Sequence, residues 1–184
     1  LVICSSYSGN TEETVACLHE ARERGAQIGV LAAGGVLADE AHRHQMAFVA
    51  MPSGLQPRMA MLYNLRALVK LLVEFAVIDR SYFDEIAEHA DWLHEETANW
   101  GKENTTDFNI AKQLALMSVG KTPVFYTGHM MAPVAYKWKI SWNENAKNVA
   151  FYNELPEFNH NEFMGWASHP VEKPFAVFDL ISNF

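Results

Sequence analysis

The sequence is short of cysteine, of positive charge and of long apolar runs, and each shortage removes a class of function. Only 2 cysteines occur in 184 residues. They are Cys4 and Cys17, with no CxxC spacing, so neither a disulfide framework nor a cysteine zinc site is expected. Both thiols lie in apolar surroundings and are expected to be buried, in a protein of a reducing compartment, the cytoplasm. Lys and Arg number 14 against 22 Asp and Glu, a formal net charge of -8. The cations are scattered, so no basic patch is there to meet nucleic acid or an anionic membrane. No apolar run reaches the length of a membrane span. The strings GxxxxGK[ST], GxGxxG and HExxH are all missing, which leaves nucleotide and zinc-hydrolase readings without their residues.

What is present fits a packed globular protein. Hydrophobic residues make up 49% and charged residues 20%, a balance that argues against disorder. Leu1–Cys4 reads as a continuous apolar strand of the kind a parallel sheet covers on both faces. A helix is expected after SSYSGNTEE, with Asn10 and Glu13 spaced for a capping box and Gly25 as its stop. Strands are expected at Ile28–Leu31 and Ala47–Ala50, with a short helix at Leu37–His44 between them. Residues 57–77 read as one long helix with Leu62, Leu65, Val69, Leu72 and Ala76 on one face. A second helix is expected over 82–99. WGKENTTDFN reads as a connector, and a helix follows over 110–117. Then the rhythm restarts: a strand at Pro123–Tyr126, a helix from Pro133, a strand at Asn148–Tyr152, a polar loop through NELPEFNHNE, and a strand at Phe175–Leu180. Alternating strands and helices predict an α/β fold. Both ends of the chain fall on apolar runs and read as cuts through a sheet rather than natural termini, so the chain is read as a fragment.

The string SSYSGNTEET carries the clearest local chemistry. Four hydroxyl residues, Ser5, Ser6, Ser8 and Thr11, lie between a strand and a helix start. Gly9 permits close approach of the backbone to a ligand. The free N–H groups and dipole of a helix N-terminus favour an anion there. Neutral hydroxyls donate to phosphate oxygens without any cation, so the net charge is no obstacle. On the residues alone, an ordinary turn with a cap remains an equal alternative.

SYSGNTEET resembles the phosphosugar-binding loop of sugar isomerase (SIS) domains. WKISWNENAK and FYNELPEFNHNEFMGW are similar to the bifunctional phosphoglucose/phosphomannose isomerase family. The resemblance implies a three-layer α/β/α sandwich with SIS-type parallel sheets. It implies a first SIS domain over residues 1–105, without its N-terminal strands, and a C-terminally truncated second one over 106–184. It implies that Ser6, Ser8 and Thr11 hold the sugar phosphate, with Ser5, Gly9 and Asn10 as further loop contacts. Glu144, in NENAK, matches the family's catalytic base. His160, in NHNE, matches its ring-opening histidine, contributed by the partner subunit of a homodimer. Arg58, in QPRM, matches an arginine near the reacting carbons. The family's catalytic lysine has no counterpart in this chain.

Aldose–ketose isomerisation needs an anchored phosphate, an opened ring, a proton moved between adjacent carbons, and stabilised enediolate charge. A positioned carboxylate can move the proton. Glu144 stands between Asn143 and Asn145, after a helix with Tyr136, Trp138 and Trp142, and aromatic surroundings would raise its pKa. A solvated glutamate near a helix end is the plain alternative. His160 can shuttle a proton near neutrality, or be a surface histidine bonded to its neighbours. Arg58 can stabilise an oxyanion, or be a solvated arginine at a helix start. His129, in TGHMMAP, reads as a supporting residue, and Trp138 and Trp142 as core or interface. Glu154, Glu157, His160 and Glu162 lack a metal-site spacing, and no metal or organic cofactor is expected. The expected activity is isomerisation of glucose 6-phosphate and mannose 6-phosphate to fructose 6-phosphate. A non-catalytic phosphosugar-sensing module would need the loop but not Glu144 and His160. A different SIS isomerase, for an amino-sugar or pentose phosphate, would share the loop without NENAK and NHNE together.

Overall fold

The structure, a computed structural model, describes residues 1–168 and 171–182. The chain divides into two compact units, Leu1–His94 and Glu95–Phe184. Each is an α/β/α sandwich built on a parallel sheet.

The first unit runs β1 (Val2–Ser5), α1 (Glu12–Glu23), β2 (Ile28–Ala32), α2 (Gly35–Arg43), β3 (Ala47–Ala50), α3 (Met61–Glu74) and α4 (Ser81–Glu88). The strands pair in parallel in the order β1-β2-β3. Every residue of β2 is buried, because this central strand is covered on both faces. Its side chains alternate. Val30 and Ala32 pack with Leu18, Ala21, Leu37 and Ala41 under α1 and α2, whereas Leu31 packs with Ala67 and Leu71 under α3. Strands that advance in one direction carry their right-handed crossover helices on one face, which leaves the other face to α3. Glu40, buried on α2, ties α1 to α2 through Arg22 at 3.0 Å and also pairs with Arg43.

The second unit contains α6 (Ile110–Ser118), β4 (Thr122–Gly128), α7 (Ala132–Ser141), β5 (Phe151–Leu155), α8 (Glu157–Ala167) and β6 (Phe175–Leu180). The boundary between the units falls within α5 (Ala90–Asn99). The parallel strand order is β5-β4-β6. The chain steps from β4 to β5 through α7, then back across β4 to β6 through α8. Crossovers of one hand in opposite directions put α7 and α8 on opposite faces. Phe125 and Phe178 accordingly pack toward α7, with Ala135 and Trp142, while Tyr126 packs on Phe158 of α8.

Several expectations are corrected. Residues 57–77 are not one helix. A short 3-10 turn, Pro57–Met59, precedes α3, which ends at Glu74, before Ala76 turns left-handed at φ 54°. Its buried face is Ala67 and Leu71, whereas Leu62 and Leu65 are exposed. Residues 82–99 break at His89 into α4 and α5, and neither helix buries a residue. The strand expected at Asn148–Tyr152 starts only at Phe151, because the Asn148 carbonyl accepts from Asn143 Nδ2 and still belongs to the preceding turn. The NELPEFNHNE segment is not a loop: β5 runs to Leu155 and α8 begins at Glu157. Cys17 is exposed, unlike Cys4, since it turns away from its buried neighbour Leu18 on α1.

Phe125 is fully buried, with ring centroids of Trp138, Trp142 and Phe178 at 5.6, 6.1 and 5.3 Å. Phe125→Ala should lower stability by about 3–5 kcal/mol. Denaturant unfolding would read this as a fall in midpoint, and an unchanged midpoint would contradict the packing.

Candidate functional site

The hydroxyl cluster forms as a compact knot between β1 and α1. Ser6 is buried, and its Oγ is hydrogen-bonded to Thr11 Oγ1 at 2.7 Å, with Ser8 Oγ 3.5 Å away. Ser8, Asn10 and Thr11 are exposed. The capping box does not form. The N-cap is Thr11, and its side chain makes no capping bond. Asn10 is drawn away instead, accepting from the Val36 N–H at 3.1 Å through Oδ1. Its own N–H donates to Ser8 Oγ at 3.2 Å. The start of α1 is therefore left without a side-chain cap, next to hydroxyls that can both donate and accept.

Two glycines make this arrangement possible. Gly9 has φ +71°, and a Cβ there would sit 1.8 Å from the Gly34 carbonyl oxygen. Gly35 has φ +73°, and its Cβ would meet the Ser8 carbonyl oxygen at 2.4 Å. The loop after β1 and the turn after β2 thus lie backbone to backbone, with Leu37 N donating to the Gly9 carbonyl at 3.0 Å. Arg58 is elsewhere in this unit, half-buried on the 3-10 turn, with Nη1 3.5 Å from Gln56 Oε1.

In the second unit Glu144 occupies a π-helical turn, Trp142–Ala146, that continues α7. Such turns widen the helix and recur at functional sites. The turn is held by Asn143 Nδ2 donating to the Asn148 carbonyl at 2.8 Å and Lys147 Nζ donating to the Glu144 carbonyl at 2.5 Å. The aromatic residues before Glu144 do not enclose it. Trp138 and Trp142 face Phe125 and Phe178, while Glu144 is exposed. His160 is exposed on α8. His129, in a 3-10 turn after β4, bonds to Glu154 Oε2 of β5 at 3.2 Å. That pair stands at the C-terminal ends of β4 and β5, whose connections leave toward opposite faces, the usual ligand crevice of an open sheet. Among the described residues no three His, Cys, Asp or Glu side chains converge as a metal site.

A cavity of about 740 Å³ opens on the α8 side of this sheet, between residues such as Met130, Phe158, Phe163 and Ile181. Its walls are mainly apolar, and they include Asp179 but no Lys or Arg among the described residues. It is therefore a poor place for a phosphate.

Sequence reasoning overlooked a polar cluster beneath α8. Tyr126 Oη donates to Glu162 Oε2 at 2.6 Å, Trp166 Nε1 donates to Tyr126 Oη at 2.9 Å, and Asn153 Nδ2 donates to Glu162 Oε1. The available signal was the spacing of Phe158, Glu162 and Trp166, one helical turn apart. Burial and the Glu162 carboxylate push the Tyr126 phenol up from 10.0 to about 12.

Two measurements test this geometry. Gly9→Ala should destabilise the protein more than Gly25→Ala, because both glycines have positive φ but a Cβ at Gly25 would meet nothing within 4 Å. The left-handed penalty, about 1–2 kcal/mol, is common to both, and equal melting temperatures would contradict the backbone contact. The raised Tyr126 pKa favours folding while the phenol stays protonated. That contribution is complete below the unfolded value of 10 and is lost as pH rises toward about 12. Ultraviolet titration should show a late phenolate step in the wild type that Tyr126→Phe removes, and a Tyr126 that titrates with the exposed tyrosines would contradict it.

Residues 107–183 match the bacterial phospho-glucose isomerase C-terminal SIS domain family. The bifunctional phosphoglucose/phosphomannose isomerase of Caldicellulosiruptor bescii is 37% identical over 169 residues, which are 91% of this chain and 50% of that protein. The D-glucosamine-6-phosphate 4-epimerase of Sulfolobus acidocaldarius is 31% identical over 169 residues, 91% of this chain and 51% of that protein. A hypothetical protein from Thermus thermophilus shares the fold, with a TM-score of 0.69 and 21% identity across 96% of this chain and 46% of that one. The chain thus spans about half the length of the curated relatives it matches. Parallel sheets in two α/β/α units, joined to these matches, place the chain in the SIS-domain phosphoglucose/phosphomannose isomerase superfamily.

Proposed function

We propose that the protein interconverts glucose 6-phosphate and mannose 6-phosphate with fructose 6-phosphate through an enediolate. The observation that carries this reading is the hydroxyl knot of Ser6, Ser8 and Thr11 beside an uncapped helix start. It suits a dianionic monophosphate, which takes hydroxyl and N–H donors without a cation. Ser5, Gly9 and Asn10 complete the loop around it. The identity to a relative named as a phosphoglucose/phosphomannose isomerase supports the choice of substrate.

On this reading residues 1–105 form the first SIS domain and 106–184 the second. Glu144 takes the proton from C2 of the open-chain aldose and returns it to C1, while the C2 hydroxyl proton passes to the oxygen on C1. Its exposed carboxylate on a turn held by two hydrogen bonds supports that role. Arg58 stabilises the charge on the enediolate oxygen. His160 opens the pyranose by moving a proton between the ring oxygen and the C1 hydroxyl, acting from the partner subunit of a homodimer. The proton transfers are all made by side chains, and the reaction needs no cofactor. The protein works in the cytoplasm, where its substrates are.

The epimerase relative sets the sharpest alternative, since chemistry at C4 does not move hydrogen between C1 and C2. Incubating the intact protein in heavy water with each hexose phosphate should give fructose 6-phosphate and deuterium at the C1–C2 pair. Glu144→Gln should lower kcat by about 10²-fold or more, the scale of a lost general base. Ser8→Ala and Thr11→Ala should raise KM, at about 1–3 kcal/mol each. No interconversion by the wild type, or full activity in Glu144→Gln, would overturn the proposal.

A further inference from the structure

The cluster beneath α8 has a fixed direction. A tryptophan N–H can only donate, and a phenol has one proton to give. Trp166 therefore donates to Tyr126, at 2.9 Å, and Tyr126 donates to Glu162, at 2.6 Å. Asn153 is fixed as well, because its Oδ1 accepts from the Glu154 N–H at 2.9 Å and its amino group is left to face Glu162. Both oxygens of Glu162 thus meet donors, one from β4 and one from β5. Only a carboxylate accepts at both positions. A glutamine would set its own amino group against that of Asn153.

Holding α8 on the sheet does not require this. Phe158 already stacks on Tyr126, with ring centroids 4.2 Å apart. A half-buried carboxylate costs more than an apolar side chain would. What the hydrogen bonds add is direction. Apolar contact tolerates rotation of a helix about its axis, whereas bonds to two strands do not. His160 lies midway between Phe158 and Glu162 on the same helix, on its exposed side. Any rotation of α8 would swing that ring in an arc.

We propose that Glu162 is a positioning residue for His160: its double acceptance from Tyr126 and Asn153 fixes the rotation of α8 and so the place of the imidazole. The proposal rests on the reading of His160 as the ring-opening group. It also requires that the charge serve the geometry, so that its location between α8 and β5 is exchangeable. In the double variant Glu162→Gln with Asn153→Asp, the glutamine amino group donates to the new carboxylate. The glutamine oxygen still accepts from Tyr126, and the other aspartate oxygen still accepts from the Glu154 N–H.

The test measures kcat and KM of the intact protein on ring-closed glucose 6-phosphate, with thermal melting for each variant. Glu162→Gln should lower kcat about 10- to 100-fold, the scale of a misplaced catalytic group, with KM little changed. The double variant should recover most of that loss. Glu162→Gln added to His160→Ala should cost nothing further. A wild-type kcat in Glu162→Gln, no recovery in a folded double variant, or full additivity with His160→Ala would each overturn the proposal. So would failure of both Glu162 variants to fold, which would make the residue a requirement of folding alone. If His160→Ala by itself leaves kcat unchanged, the ring-opening reading fails, and that single variant tells the two failures apart.

Discussion

Both sheets are parallel, and a parallel sheet buries both faces of its central strand. β2 and β4 meet that constraint with continuous apolar runs, GVL and PVFY, whose alternate side chains enter separate cores. With both faces taken by helices, polar chemistry is displaced to the loops at the C-terminal ends of the strands. The hydroxyl knot follows β1, the His129–Glu154 pair joins the ends of β4 and β5, and the segment after β5 leads into α8.

On the proposed reading, the first unit holds its phosphate without a cation. The chain has a formal net charge of -8, and Glu12 and Glu13 occupy the first turn of α1. Those carboxylates offset the dipole and would repel a dianion if they reached into the loop. Short-range donors still favour an anion, because hydroxyls and N–H groups at contact distance act more strongly than charges in solvent several ångströms away. Gly9 and Gly35 matter for the same reason. Their backbones pack without side chains, so the loop is held against the turn after β2 by a main-chain bond and by Asn10.

Strands were the most legible part of the sequence. β1, β2, β3 and β6 fall within a residue or two of the apolar runs that predicted them, although only the central β2 is buried along its whole length. Helices were less legible. In α3 the apolar residues outnumber the buried positions, and Leu62 and Leu65 point outward while Ala67 faces the sheet. In α8 the opposite holds. Asn159, His160, Asn161 and Glu162 read as a loop because polar residues dominate, yet Phe158 and Trp166 fix its inner face. The hydroxyl knot was legible in composition, but the partner of Asn10 was not. That partner, the Val36 N–H, lies 26 positions away, and local capping rules consider only the next turn.

The same difficulty explains why the sequence weighs Glu162 only as a metal ligand while it gives His160 a chemical role. A histidine is noticed for its chemistry, whereas a glutamate on a polar stretch looks solvated until its partners are seen. Its partners are Tyr126 and Asn153, on two different strands, and neither sits near it in sequence. Apolar contacts at Phe158 and Trp166 alone would leave α8 free to settle by a few degrees either way. Two directional bonds one turn along remove that freedom, and the Trp166 bond to Tyr126 repeats the constraint a further turn on. On the proposed reading, the motif NHNE is a mechanical unit, in which the histidine carries the chemistry and the glutamate, half a turn later and facing inward, sets where that chemistry stands.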